Sequence, residues 1–236
     1  MPPLGCKDIT FKYPGEPYPI FRHLDLHIDA PGFYALFGLS GAGKSTLAKI
    51  MARLLSPQGG YLLHGDGYRV LYSHNEERLP IWEDCLTHLE SVVTSGMGGI
   101  LQEYLALALN GVNLEVRFNE LSLGQKNRVN LARYIVQRFD CLIMDEALAN
   151  VDEPTRLAIL AFLKRRFPDR IFIYVSHNVM EVVHFSKVIF CLSTPKDAMA
   201  VKVKAVTGLD RHSHQLDESK PLRQIGLTVL EAVSGG

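Results

Sequence analysis

Between positions 38 and 46 the chain reads GLSGAGKST. Glycines at 38, 41 and 43 let the backbone curl so that successive N–H groups point inward, at the positive end of whatever helix follows. That is an arrangement for phosphate. Gly38, Ser40, Gly41 and Gly43 would wrap the anion with Thr46 beside them, Lys44 would reach the β- and γ-phosphates of a nucleoside triphosphate, and Ser45 would ligate Mg²⁺. A hundred residues later CLIMDE, Cys141 to Glu146, delivers two acids at the end of an apolar run. Asp145 there would hold the metal, and Glu146 would polarise an attacking water as a general base. Ser176-His177 closes a third apolar run, Ile171 to Val175. If all three runs are strands of one parallel sheet, the loop, the acids and His177 share one edge, and His177 becomes a candidate phosphate contact.

The elements that must position these groups are legible around them. Phe33 to Phe37 is an apolar strand ahead of the loop, and Leu47 to Leu55 a helix after it. Upstream, Lys7 to Tyr13 and Ile20 to Ile28 alternate apolar and polar positions and flank a turn at PGEPYP, which predicts two strands. Downstream, Tyr61 to His64 and Tyr68 to Ser73 flank Gly65-Asp66-Gly67 and predict strand, tight turn, strand. From about 79 to 120 the apolar spacing turns helical, a helical insertion divided by Gly96, Gly98 and Gly99. Lys126 to Arg138 and Glu153 to Phe167 predict two more helices, the second opened by Pro154. Ala200 to Val206 alternates like an edge strand guarded by lysines, Leu222 to Val233 fits a short amphipathic helix, and His212/His214 sit in a polar stretch that reads as a solvated loop. The fold class expected is α/β: a phosphate-loop NTPase core sheet, an N-terminal antiparallel β subdomain and an inserted α-helical subdomain.

Composition bounds the rest. The 236 residues suffice for one such domain with a small subdomain, here 1–195, and a C-terminal extension, 196–236. Twenty-five basic and 25 acidic residues balance, which speaks against a protein that grips nucleic acid by bulk charge. Cys6, Cys85, Cys141 and Cys191 form no CxxC pair and read as reduced, partly buried thiols. Neither a secretory leader nor an apolar run of membrane-spanning length is found.

Together these motifs resemble the nucleotide-binding subunit of an ATP-binding-cassette transporter over approximately Lys7 to Leu192. Leu121-Ser122-Leu123-Gly124-Gln125 is similar to the family's LSGGQ signature, Ala149 to Asp152 to its D-loop with Asp152 as the acid, and Ser176-His177 to its switch histidine. The resemblance implies that Tyr13 stacks on adenine. It further implies that the signature of one copy covers ATP held by the other, so that hydrolysis needs a dimer, while Glu146, His177 and Lys44 act in cis. Hydrolysis would remove the bridging γ-phosphate, and the opening dimer would drive a membrane permease. LPIWEDCL is similar to the corresponding run in importers of sulfonates, nitrate, taurine and vitamin precursors. Expected partners are therefore a second cassette of the same chain, integral membrane permease subunits and a substrate-binding protein, with no nucleic acid. The expected location is cytoplasmic, on the inner face of the cell membrane. Three positions depart from the pattern. His74 stands where the Q-loop glutamine would contact Mg²⁺, Leu123 replaces the first signature glycine, and Ala147 replaces a proline. A free-standing cassette ATPase and a non-hydrolysing regulatory cassette are the alternatives.

Overall fold

The computed structural model describes residues 3–77, 80–194, 200–216 and 219–234. Strands β1 (Leu4–Phe11), β2 (Phe21–Ile28) and β4 (Gly59–Leu62) form an antiparallel sheet in the order β2-β1-β4. The second sheet has six strands in the order β5-β6-β7-β3-β8-β9, where β3 is Gly32–Gly38, β5 Val70–His74, β6 Cys141–Asp145, β7 Ile171–Val175, β8 Val188–Ser193 and β9 Lys202–Thr207. Its strands are parallel from β5 through β8, and β9 pairs antiparallel on β8. Helices complete the chain: α1 (Lys44–Met51), α2 (Cys85–Val92), α3 (Gly98–Ala108), α4 (Leu123–Ile135), α5 (Glu153–Arg166), α6 (Val179–Phe185) and α7 (Lys220–Ser234). This is the mixed α/β architecture of a phosphate-loop NTPase.

Apolar runs without alternation are what a parallel sheet covered on both faces requires. Along β3, Phe33, Ala35 and Phe37 face the core shared with α2 to α5, whereas Tyr34 and Leu36 face the core shared with α1, β1 and β2. β6 and β7 divide in the same way: Leu142, Met144, Phe172 and Tyr174 lie on one side, Ile143, Ile171, Ile173 and Val175 on the other. Phe33 stacks on Phe172 at 4.8 Å between centroids. Full burial of such a ring contributes about 1.5–3 kcal/mol.

One expectation needs correcting. The runs around Gly65-Asp66-Gly67 are not partners in a hairpin: β4 pairs with β1 in the small sheet and β5 with β6 in the large one. The turn therefore carries the chain between sheets, because Val70 to His74 finds a more complete burial beside Cys141 to Asp145 than beside half-exposed β4. The helix expected from Lys126 starts earlier, at Leu123, since Ser122 caps it: its Oγ accepts from Gln125 N at 3.3 Å and its N–H donates to Gln125 Oε1 at 2.8 Å. The tail adds β9 to the sheet, and α7 buries Leu222, Val229 and Val233 against α6 and β8.

Candidate functional site

Parallel pairing sets the site. Leu36 of β3 is level with Val175 of β7, Val175 with Asp145 of β6, and Asp145 with His74 of β5. Four strands thus end in one row, and the segments that leave them carry the phosphate loop, His177, Glu146 and His74 to the same edge. The loop itself relies on left-handed glycines. Gly41 has φ +80° and Gly43 φ +85°, and a Cβ on Gly43 would stand 2.9 Å from Ile20 Cγ2. Lys44 opens α1 and is buried, its Nζ donating to the carbonyls of Gly38 and Leu39 at 2.9 Å each. Burial lowers its pKa, and the carboxylates of Glu146 and then Asp145 act against that fall, which places the ammonium and both acids in one electrostatic neighbourhood. Ser40 and Ser45 are exposed at the loop, and Thr46 is buried with its Oγ1 3.3 Å from the Tyr13 hydroxyl. Tyr13 is thereby brought to the start of α1, its ring edge-on to Phe11 at 4.9 Å.

Asp145 is 5% exposed. Its Oδ2 accepts from the Tyr72 hydroxyl at 2.6 Å, while its buried Oδ1 has no hydrogen-bond partner. Burial first, and the bond to Asp145 second, raise the Tyr72 pKa, so this phenol stays a donor. An unpaired buried carboxylate oxygen is costly without a cation. The orphaned Asp145 oxygen therefore fits a hard divalent ion, the ion for which Asp145, Ser45 and His74 are the expected ligands. Tyr72 escaped the sequence reading, although a signal existed. Positions 72 and 74 alternate onto the same face of β5, and their rings lie 5.6 Å apart.

Glu146 leaves the row with φ +53°, an unusual conformation for a glutamate, and accepts or shares a proton with His177 Nε2 at 2.7 Å through Oε1. The next residue, Asn178, is tied into a buried network. Glu181, fully buried on α6, receives Arg156 Nε at 2.7 Å, the Tyr174 hydroxyl at 3.0 Å and Asn178 Nδ2 at 3.0 Å. Arg156 also donates to Val151 O at 2.5 Å, joining the loop after Glu146 to the loop that carries His177. Asp152 caps α5 by accepting from Thr155 N at 3.1 Å, and the hydrogen bonds from Thr155 lower its pKa. A glutamate in a short helix does not announce its burial in one sequence, so this support was missed.

The stretch 121–125 lies elsewhere in the chain's own geometry. Leu121 is buried, Leu123 is 63% exposed, and a Cβ on Gly124 would stand 2.5 Å from Asn150 O. Among the described residues no side-chain hydrogen bond links these five to the phosphate loop.

Comparison with known proteins decides the family. The model of the ABC transporter family matches residues 21–149, more than half the chain, from β2 through the phosphate loop and both acids. The chain belongs to the ABC transporter family. As an ABC ATP-binding protein it is an ATPase. It is 33% identical over 211 residues to the aliphatic sulfonates import ATP-binding protein of Pseudomonas fluorescens, covering 84% of this chain and 76% of that one. The protein of the same description in Burkholderia pseudomallei is 35% identical over 176 residues, 70% of this chain and 52% of its own. Among solved structures, a bacterial ABC transporter cassette described as dimeric superposes with a TM-score of 0.68 at 22% identity, over 79% of this chain and 93% of that one. A bacterial Atm1-family ABC exporter with ATP bound gives 0.69 at 22%, over 80% and 37%. At that identity the structural likeness speaks for the ABC cassette fold.

Proposed function

We propose that this ABC ATPase powers import of a small solute across a membrane, and that the Glu146–His177 pair, set beside Asp145 by strand register, performs the hydrolysis. The observation that carries the reading is the 2.7 Å contact between these two side chains at the edge where Lys44 is buried among acids. Backbone N–H groups from Gly38 to Gly43, with Lys44, Ser40 and Thr46, hold the phosphates, and Tyr13 lies against the base. Glu146 Oε accepts the proton of the attacking water, and His177 fixes the carboxylate and reaches the γ-phosphate. Ser45 and Asp145, with His74, would hold Mg²⁺, which would supply charge neutralisation for the phosphates.

Ser122, at the positive end of α4, together with Gly124 N–H suits a γ-phosphate offered by a second copy, with Asp152 near the same interface. A homodimer is the simplest assembly that brings this cap to the phosphate loop. No helix of the described residues is long and apolar enough to cross a membrane. In this reading the transport pathway is formed by separate permease subunits, as the import ATP-binding description of the relatives suggests, with the ATPase on the cytoplasmic face beneath them. Ile81 and Trp82, 57% and 77% exposed, offer apolar side chains to such a permease. Aliphatic sulfonates, named for the relatives, are the first solutes to try, delivered by a substrate-binding protein. In this reading residues 1–195, with their helical insertion at about 79–120, are the ATPase unit and 196–236 an extension of it.

Glu146→Gln tests the core of the proposal. General-base loss lowers turnover about 10²- to 10⁴-fold. A half-exposed ion pair contributes no more than about 1 kcal/mol, so the fold is retained. Phosphate release equal to that of the unaltered protein would remove Glu146 from the chemistry.

A further inference from the structure

The parallel register that aligns one edge of the sheet also aligns the other. Val70, Cys141 and Ile171 are level, so the residues just ahead of them, Arg69, Asp140 and Arg170, stand side by side where β5, β6 and β7 begin. The five residues of β6, at about 3.3 Å each, set this row roughly 16 Å from Asp145 and the phosphate loop's edge. Asp140 organises it. Its Oδ2 accepts from Arg69 N at 2.8 Å and its Oδ1 from Arg170 Nη1 at 3.3 Å, which occupies both carboxylate oxygens. Beside the row, the linker between α2 and α3 is tied to the end of α4, because Thr94 N and Oγ1 both donate to Val136 O, at 3.0 and 2.9 Å.

These segments enclose a cavity of about 680 Å³. Four arginines line it, Arg69, Arg138, Arg166 and Arg170, against two aspartates, Asp140 and Asp169, so the lining is cationic. Buried Phe139 and Phe167, their rings 5.5 Å apart, and half-buried Met97 and Ile100 supply an apolar part. Helix ends explain two of the arginines. Arg166 closes α5 and Arg138 follows α4, where the last carbonyls of a helix attract a cation. Arg69 and Arg170 enter from strand starts, where no such attraction acts. Arg166 meets Glu103 at 3.2 Å, but among the described residues no hydrogen bond or ion pair engages the guanidinium of Arg69 or Arg138.

We propose that this cavity binds a small organic anion, a tetrahedral phosphate or sulfonate group on an apolar body. Guanidinium forks match such an oxyanion with paired hydrogen bonds, and the neighbouring apolar side chains accept the body. A space of this volume, partly apolar with a few convergent charged groups, is what a small-molecule site requires. The proposal is independent of the nucleotide reading, since it concerns the opposite edge of the sheet.

Hexyl phosphate and hexanesulfonate are titrated into the full chain by calorimetry, with and without saturating ADP and Mg²⁺. One-site binding of either anion, unaffected by ADP, is the expected result, and the two arms tell a phosphate ligand from a sulfonate. Shortening the chain from hexyl to ethyl weakens binding by up to about fourfold per methylene, and hexanol, which lacks the anion, does not bind. Arg69→Ala and Arg138→Ala each weaken binding about 10-fold or more. Arg165→Ala, which removes an exposed arginine outside the cavity, leaves it alone. Arg69 and Arg138 are exposed, so their variants keep the melting curve of the unaltered protein by circular dichroism. Displacement by ADP would put the anion in the phosphate loop. Affinity unchanged in both Arg69→Ala and Arg138→Ala, or lowered as much by Arg165→Ala, would leave only a general attraction between charges. Any of these results, or failure of both anions to bind, overturns the proposal.

Discussion

Gly124→Ala separates packing from propensity at the start of α4. Alanine in a helix is favoured over glycine by about 1 kcal/mol. Here, however, the new Cβ would sit 2.5 Å from Asn150 O, a distance such contacts do not adopt. The first turn of α4 and the loop bearing Asp152 must part by roughly 0.5 Å at least, and overpacking of this order costs about 1–3 kcal/mol. The net change is a loss of up to about 2 kcal/mol, seen as a fall of a few degrees in melting temperature for a chain of this size. Turnover responds more steeply. Ser122 is bonded to the same turn through Gln125, and misplacement approaching 1 Å in a reacting assembly costs up to about 10²-fold. Thermal melts and phosphate release at saturating ATP are measured on one preparation. A melting temperature raised by the propensity gain, with turnover unchanged, would show that the contact with Asn150 limits nothing.

Tyr72→Phe removes the only hydrogen-bond donor to Asp145 Oδ2 among the described residues, leaving both carboxylate oxygens short of partners. The expected cost is about 1–3 kcal/mol in the absence of Mg²⁺, partly restored as Mg²⁺ is added, in thermal melts across a Mg²⁺ series. Unaltered Mg²⁺ dependence would detach Tyr72 from the metal. Tyr13→Ala should weaken ATP binding by about 1–3 kcal/mol if its ring lies on the base, while leaving inorganic phosphate binding alone; equal affinities for ATP would place Tyr13 in the core only. The thiols make a pH prediction. Burial raises Cys6 to about 12 and Cys85 and Cys191 to about 11, and lifts Cys141 well above the ordinary thiol range. Folding thus opposes ionisation of each, so their contribution is complete below the ordinary thiol pKa of 9.0 and is lost as pH rises through 11 to 12. Stability should fall by up to about 1.4 kcal/mol per thiol per pH unit over that range, with thiol reagents unreactive at pH 8 until the chain is denatured. Rapid labelling of a native cysteine at pH 8 would contradict its burial.

Local physics is why so much was readable beforehand. Glycines with a lysine between a strand and a helix can do little besides hold phosphate. Apolar runs such as Leu142 to Met144 and Phe172 to Tyr174 can only be strands with both faces covered, and an acid or a histidine at the end of such a strand has a defined edge to occupy. Periodicity likewise marked α5 and α7 to within a few residues. What remained hidden depends on contacts between distant segments. The bond from Tyr72 to Asp145 spans 73 positions and those from Glu77 to α4 span 53 to 57. No local pattern specifies a partner at that range, because either side chain could equally be solvated.

Pairing choice was also tertiary. Gly65-Asp66-Gly67 is a competent hairpin turn by its residues, yet β5 gains more by completing the edge of the buried sheet than by pairing with β4. The sequence by itself determined which chemistry this protein carries, since residue types at the ends of strands and in the phosphate loop are local properties. Only the tertiary structure decided how those groups meet: that parallel register sets His74, Asp145 and Val175 in one row, that Glu181 and Arg156 fasten Asn178 and the loop after Glu146, and that Glu77 meets Asn130, Arg133 and Tyr134 of α4. The reason is that register and side-chain pairing are selected by burial of the whole sheet and its helices, a quantity that belongs to no single segment.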